Sequence, residues 1–210
     1  PNIMRIKIYI FALLFVFPFL CFGQATIYSN YNSGNDATGN GSSNSPYKTF
    51  HKAYIEASSG DIIDLTGTFD WTNADEIGDV LASGYTINKS ITIQGQDASS
   101  TFIQSASSEG IADRRVLSLA TGNVITISNV TIRYGVATTG GFHSGGGGIE
   151  SEAELTIQNC IITRNRATSI YASGGGACLI GGTFPIIVDD CIFSYNQNTA
   201  SSYGYGGALS

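Results

Sequence analysis

From residue 125 onward, apolar and polar positions alternate in short bursts that return at a fixed interval. Ile125 and Ile127 alternate with Thr126 and Ser128; the phase then slips by one residue at Asn129, and Val130 and Ile132 take over. The same figure comes back at Leu155 to Ile162 and at Ile186 to Phe193, 30 and then 31 residues further on. Period-two alternation is the mark of a strand with one buried face. A slip of phase requires a turn between two strands, and Asn and Asp tolerate the left-handed backbone such a turn needs. Asn129, Asn159 and Asp190 are therefore predicted to share one bend in three successive coils, with side chains bonding along the axis.

Two further marks keep nearly the same period. Gly146-Gly147-Gly148-Ile149 aligns with Gly175-Gly176-Ala177-Cys178 and Gly206-Gly207-Ala208-Leu209, at intervals of 29 and 31, and Asn165 precedes Asn196 by 31. This alignment points Ile149, Cys178 and Leu209 inward. A coil of three short strands cannot bury its own apolar face, so it must stack on its neighbours, at roughly 4.8 Å per layer. A leucine-rich repeat of similar length would need Leu at fixed offsets and a helical segment, and neither is present.

Upstream, Ile62 to Leu65, Ile91 to Ile93 and Val116 to Leu119 read as strands, and Asp70 to Tyr85 as a long excursion from the coil. Thr49 to Ala57 reads as a helix, with Phe50, Ala53, Tyr54 and Ala57 on one face. It is placed to cap the first coil, since solenoids need closed ends. The predicted fold is all-β: a right-handed parallel β-helix with about 30 residues per coil and a short N-terminal capping helix. The predicted organisation is 1–23 signal peptide, 24–60 N-terminal loop and capping helix, and 61–210 parallel β-helix. The chain stops inside a predicted strand at Leu209-Ser210, so the coil is expected to run on beyond it.

The first residues have another character. Met4-Arg5-Ile6-Lys7 is basic, Ile8 to Phe22 is an uncharged apolar run of 15 residues, and Gly23-Gln24-Ala25 returns to small and polar residues. That order is the order of a secretory signal, and the run is short for a membrane-spanning helix, which needs roughly 20 residues. Cleavage is expected after Gly23, with Cys21 and Gly23 at the −3 and −1 positions. Removing Arg5 and Lys7 leaves eight Lys and Arg against 16 Asp and Glu. With no basic patch, nucleic acid is excluded as a partner. Cys160, Cys178 and Cys191 remain, an odd number at repeat spacing, which is not a disulfide framework. Cys160 and Cys191 share a coil position, where stacked side chains point in parallel, as a free apolar pair.

The run Cys191-Ile192-Phe193-Ser194-Tyr195-Asn196, with Gly206-Gly207-Ala208-Leu209 after it, resembles the repeats of polymorphic outer-membrane proteins, F-x-x-N followed by G-G-A-[I/L/V]. Ile162 to Asn165 with Gly175 to Cys178 is a near match; Ile132 to Gly135 departs at the asparagine. The resemblance covers residues 116–210. Gly34-Asn35-Asp36, Pro46 to Phe50, Ala53, Gly60-Asp61-Ile62 and Gly67-Thr68-Phe69 resemble the N-terminal segment of secreted pectate-lyase-like β-helix proteins. The two resemblances imply a protein exported to the cell surface or beyond it.

Enzymes of that superfamily place Asp, Arg or Lys together on one outer strand face: a base for a lyase, paired carboxylates for a hydrolase. Asp189-Asp190 is the best carboxylate pair, but Asp190 belongs to the bend, which leaves one carboxylate. Asp113-Arg114-Arg115 reads as a solvated turn, with binding of an acidic sugar as the alternative. Glu150, Glu152 and Glu154 alternate on one side and read as a solvated acidic patch, with Ca2+ binding as the alternative; otherwise no cofactor is predicted. No metal or catalytic role is assigned to His51, on the helix, or to His143, in a glycine-rich loop. Tyr171, Tyr195, Tyr203 and Tyr205 fall in or near outer loops, where tyrosine stacks on sugars or anchors a partner. No catalytic, cofactor or metal residue is assigned. The expected function is a non-catalytic adhesin or interaction stalk, contacting carbohydrate or a host or cell-surface partner, with membrane contact only through a C-terminal anchor past Ser210. The alternative is a polysaccharide lyase or glycoside hydrolase whose active strand lies mainly in that further part.

Overall fold

The computed structural model describes residues 23–76, 83–138, 144–168, 172–179, 185–199 and 206–210. The stretch before Gly23, read above as a secretory signal, lies outside them, together with His143, Tyr171, Tyr203 and Tyr205.

The alternating segments form strands that pair in parallel with the equivalent strand of the next coil. The first sheet carries six, in chain order: Thr26–Asn30, Ile62–Thr66, Thr92–Gly95, Val124–Ser128, Glu154–Gln158 and Ile186–Asp189. The second carries Thr68–Asp70, Phe102–Gln104, Thr131–Arg133, Ile161–Thr163 and Ile192–Ser194. The third carries Tyr85–Ile87, Leu117–Leu119, Ile149–Ser151 and Ala177–Leu179. The result is a parallel β-solenoid of about four turns with some 31 residues per turn. The sheet starts earlier than expected: Thr26–Asn30 lies in the segment read as loop and helix, yet pairs residue for residue with Ile62–Thr66.

The core is a set of columns running along the axis. Ile63, Ile93, Ile127, Ile157 and Val188 stand in one register, and the first four are fully buried. Phe69, Ile103, Ile132 and Ile162 form a second buried column. Each buried side chain of this size contributes about 1.5–3 kcal/mol by leaving water, which no coil obtains alone. Burial falls off at the last layer, where Val188 is 38% exposed.

The bends follow the phase slips. Asn129, Asn159 and Asp190 have φ of 56°, 52° and 48°, as predicted for the shared turn. Their side chains do not bond to one another; the backbone N–H groups of Asn129 and Asn159 bond to the carbonyls of Gln158 and Asp189 in the next coil. The glycine register also differs from the sequence alignment. Gly147 and Gly148 donate to the carbonyls of Gly175 and Gly176, so Ile149 opposes Ala177, while Cys178 opposes Glu150. Cys178 therefore does not join the inward column.

Helix Phe50–Glu56 closes the first end, one residue shorter at each side than its predicted span. Thr49 caps it by accepting the Lys52 N–H, and Asp36 fixes Thr49 through its hydroxyl, 2.7 Å, and its N–H. At the other end Lys89 donates to the carbonyls of Tyr54, Ile55 and Ala57, the groups a helix leaves unpaired there. Phe50 packs edge-on to Tyr85 at 4.9 Å and against Trp71 at 5.6 Å, forming an aromatic plug over the aliphatic columns.

Candidate interaction surface

The four positions of F-x-x-N each have a distinct structural duty. Ile132, Ile162 and Phe193 stand in register in the second sheet, the first two fully buried. Arg133, Thr163 and Ser194 follow in register on the outer face. Tyr134, Arg164 and Tyr195 come next, with φ of 60°, 55° and 54°. A left-handed backbone costs a residue with a side chain roughly 1 kcal/mol, and here three large side chains adopt it to turn the corner outward.

The fourth position is a hook between coils. The Asn165 carboxamide donates from Nδ2 to the Ile132 carbonyl, 3.1 Å, and accepts the Gly135 N–H, 2.9 Å. Asn196 repeats the figure one coil on, donating to the Ile162 carbonyl, 2.7 Å, and accepting the Asn165 N–H, 3.0 Å. Each asparagine thus satisfies a backbone donor and acceptor where the corner interrupts the ladder, a pairing that buried groups need. The coil containing Ile132 departs from the motif for a steric reason: a Cβ on Gly135 would lie 1.8 Å from the Gly147 carbonyl oxygen. The motif's two halves also meet. A Cβ on Gly148 would lie 2.9 Å from Asn165 Nδ2, and one on Gly176 2.8 Å from Asn196 Nδ2. Asn165 is 1% exposed, so Asn165→Ala is expected to lower unfolding free energy by about 2 kcal/mol, because two buried backbone groups lose their partners. Urea denaturation followed by circular dichroism measures this.

Outside the hooks, charged and aromatic groups gather on the same corner. Asp70, Gln104 and Arg133 occupy one outer column. Gln104 Nε2 donates to Asp70 Oδ2 and Arg133 Nε donates to Gln104 Oε1, both at 2.7 Å. The Arg133 guanidinium lies 4.0 Å from the Phe102 ring centre and 4.9 Å from that of Tyr134. Partial burial holds its pKa below the ordinary arginine value. Arg164 pairs with Glu109 at 2.9 Å and lies over Tyr195 at 5.1 Å; Tyr195 is 73% exposed.

No family model, curated protein or solved structure matches the chain.

The residues singled out in the sequence are largely dispersed. Asp113 is exposed, as a solvated turn should be, and pairs with Arg114, which is half-buried. Arg115 does not fit that turn: its side chain is buried and bonded to Ser83, Gly145, Gly146 and Glu150. Glu150, Glu152 and Glu154 are split by a bend at Ala153, which puts Glu150 in the third sheet and Glu154 in the first. Asp190 takes the bend and Asp189 faces outward in register with Gln158. Among the described residues, no three or more His, Cys, Asp or Glu side chains are grouped to hold a metal ion.

Cys160, Cys178 and Cys191 are free thiols. Cys160 donates to the carbonyls of Gln158 and Ile127, and Cys191 to those of Asp189 and Ile157. The identical pattern shows the two stacked thiols pointing the same way. Burial pushes the Cys160 thiol up to about 12 and the Cys178 thiol up to about 11, so neither is a nucleophile at neutral pH.

A cleft of about 450 Å3 runs between the capping helix and the first coils, lined by His51, Tyr54, Ile55, Tyr85 and Lys89 among others. Its polar groups are committed to the cap. His51 Nδ1 bonds to the Tyr85 hydroxyl at 2.9 Å, and the Tyr54 hydroxyl donates to Asn88 Oδ1 while accepting the Asn88 N–H. The surface of interest is the corner instead. Arg133, Tyr134 and Arg164 escaped the sequence reading because the repeat was followed through its constant positions; their signal is that they fill the x positions of F-x-x-N.

Proposed function

We propose that this chain is an exported β-helix stalk, built from repeats of the polymorphic outer-membrane-protein kind, that holds interaction surfaces away from a cell and does not itself catalyse a reaction. Export rests on the basic and apolar opening of the chain. The observation that carries the stalk reading is a division of labour within each coil. Inward positions keep one chemical character from layer to layer: Ile132, Ile162 and Phe193; Ile127, Ile157 and Val188. Outward corner positions change at every layer: Arg133, Thr163 and Ser194; Tyr134, Arg164 and Tyr195. A rigid scaffold with variable outer side chains is suited to display, in the way loops on a fixed frame carry function.

The test uses beads coated with the full chain. They are expected to adhere to protein-matrix or cell-coated surfaces and, in parallel, to release neither unsaturated nor reducing sugar ends from polygalacturonate, alginate or xylan. Sugar release would replace the stalk with a polysaccharide lyase or hydrolase. Beads that adhere to none of the surfaces would remove the adhesive role.

A further inference from the structure

The outer corner holds one cation in a prepared orientation. Arg133 is held by three contacts: its Nε is bonded to Gln104, and its guanidinium carbon lies over the rings of Phe102 and Tyr134. The Asp70–Gln104 bond behind it fixes the amide that holds Nε. Its two terminal nitrogens bond to no group among the described residues. An arginine oriented by stacking and by Nε has lost most of its rotamer freedom in advance, so engaging a ligand through the remaining fork sacrifices little further entropy.

Local charge narrows the choice of ligand. Arg114, Arg133, Arg164 and Arg166 are set against Asp70, Glu109 and Asp113, an excess of one positive charge. The remainder of the mature chain is acidic. A polyanion such as a sulfated glycan or nucleic acid needs a field of many cations, and this corner carries a net excess of only one positive charge. What it does supply in quantity is Tyr and Arg, the residue types that anchor protein interfaces. Tyr195 projects from the corner two layers on from Arg133, beyond Arg164.

The geometry points to the Arg133 corner as a docking site for a protein partner that presents a single aspartate or glutamate carboxylate beside an aromatic or apolar side chain. The carboxylate takes both terminal nitrogens of Arg133 in a two-pronged bond, and the neighbouring apolar group packs beside it on Tyr134. This inference rests on the display reading of the coil and names the chemistry of what one corner displays.

The experiment is surface binding of the full chain to two immobilised peptides, Gly-Phe-Glu-Phe-Gly and Gly-Phe-Gln-Phe-Gly, with polygalacturonate and dextran sulfate as further surfaces. The glutamate peptide is expected to retain the chain about tenfold better than the glutamine peptide, as losing one charge-assisted fork predicts. Arg133→Gln and Arg133→Lys are each expected to abolish that difference, since lysine keeps the charge but not the fork. Lys52→Ala, on the capping helix, is expected to leave it unchanged. Melting curves of both Arg133 variants check that the fold is kept, and glutamine retains a side chain able to bond with Gln104. Equal retention on the two peptides, or a difference that survives Arg133→Gln, overturns the inference. Stronger retention on either polyanion overturns it in favour of a glycan. If beads carrying Arg133→Gln still adhere as the parent does, this site fails while the stalk reading stands; if parent beads do not adhere at all, the stalk reading fails first.

Discussion

Arg115→Met is expected to destabilise the fold by about 4 kcal/mol, the range found when one partner of a buried ion pair is removed. The Arg115 side chain is 4% exposed and that of Glu150 18%. The Arg115 guanidinium donates to the carbonyls of Ser83, Gly145 and Gly146 and to Glu150 Oε1, and its Nη1 lies 2.9 Å from Glu150 Oε2. The residue therefore clamps the glycine turn of one coil to the strand of the coil before it. Burial lowers the Arg115 pKa and raises that of Glu150, each working against the attraction between them. Methionine keeps the packing of the stem but leaves a half-buried carboxylate and three carbonyls without their donor. Glu150 would then be raised further above its unfolded value, so the variant should gain stability as pH falls. Adding Glu150→Gln to Arg115→Met should recover about 2 kcal/mol, because the stranded charge is gone. Urea denaturation of the parent, both single variants and the double variant measures all three terms; a loss below about 1 kcal/mol for Arg115→Met would show an ordinary surface pair.

Arg115 also shows where sequence reading stops. Arg114 and Arg115 are chemically identical neighbours, and one keeps 26% of its side chain in solvent while the other keeps 4%. What separates them is a set of backbone carbonyls some 30 residues away, and backbone acceptors leave no trace in residue type. Features fixed by side-chain pattern within a coil were legible: the inward columns, the left-handed bends at Asn129, Asn159 and Asp190, and the helix with its apolar face. The glycine register was not. Gly145 to Gly148 is a run of four and Gly174 to Gly176 a run of three, so residue identity cannot choose the pairing. The hydrogen bonds from Gly147 to Gly175 and from Gly148 to Gly176 choose it, and with it the outward place of Cys178. The outer corner was half legible. The F-x-x-N motif marked Asn165 and Asn196, but the hook they form depends on backbone groups of the preceding coil, and the expected axial bonding had been placed at the other bend.

The stability of the capping end should fall as pH rises through neutrality, the reverse of the behaviour of a salt-bridged carboxylate. Glu76 is fully buried at the end of the short turn Ala74–Glu76. Its Oε1 accepts the Phe50 N–H at 2.9 Å and its Oε2 the His51 N–H at 3.2 Å, two of the donors that a helix start leaves unpaired. Those bonds and the positive end of the helix favour the charged form. Burial outweighs them, with Asp36 and Asp75 adding repulsion, and the carboxyl is pushed up to about 7 from 4.5. The folded state therefore holds a proton over a pH range in which the unfolded chain has released it. Below about pH 4.5 both states are protonated and burial of the neutral acid is tolerated. Between 4.5 and 7 stability declines with rising pH, and above 7 it levels off about 3 kcal/mol lower. Glu76→Gln removes the titrating group and keeps one acceptor for the helix start. The difference in unfolding free energy between parent and Glu76→Gln, measured by urea denaturation from pH 4.5 to 8, should move by about 3 kcal/mol in favour of the variant, while other titrating groups cancel. A flat difference curve would mean that Glu76 is charged throughout, with the helix N–H groups stronger than desolvation. A difference that moves the other way would place its folded pKa below the unfolded one, making the carboxylate a conventional helix cap.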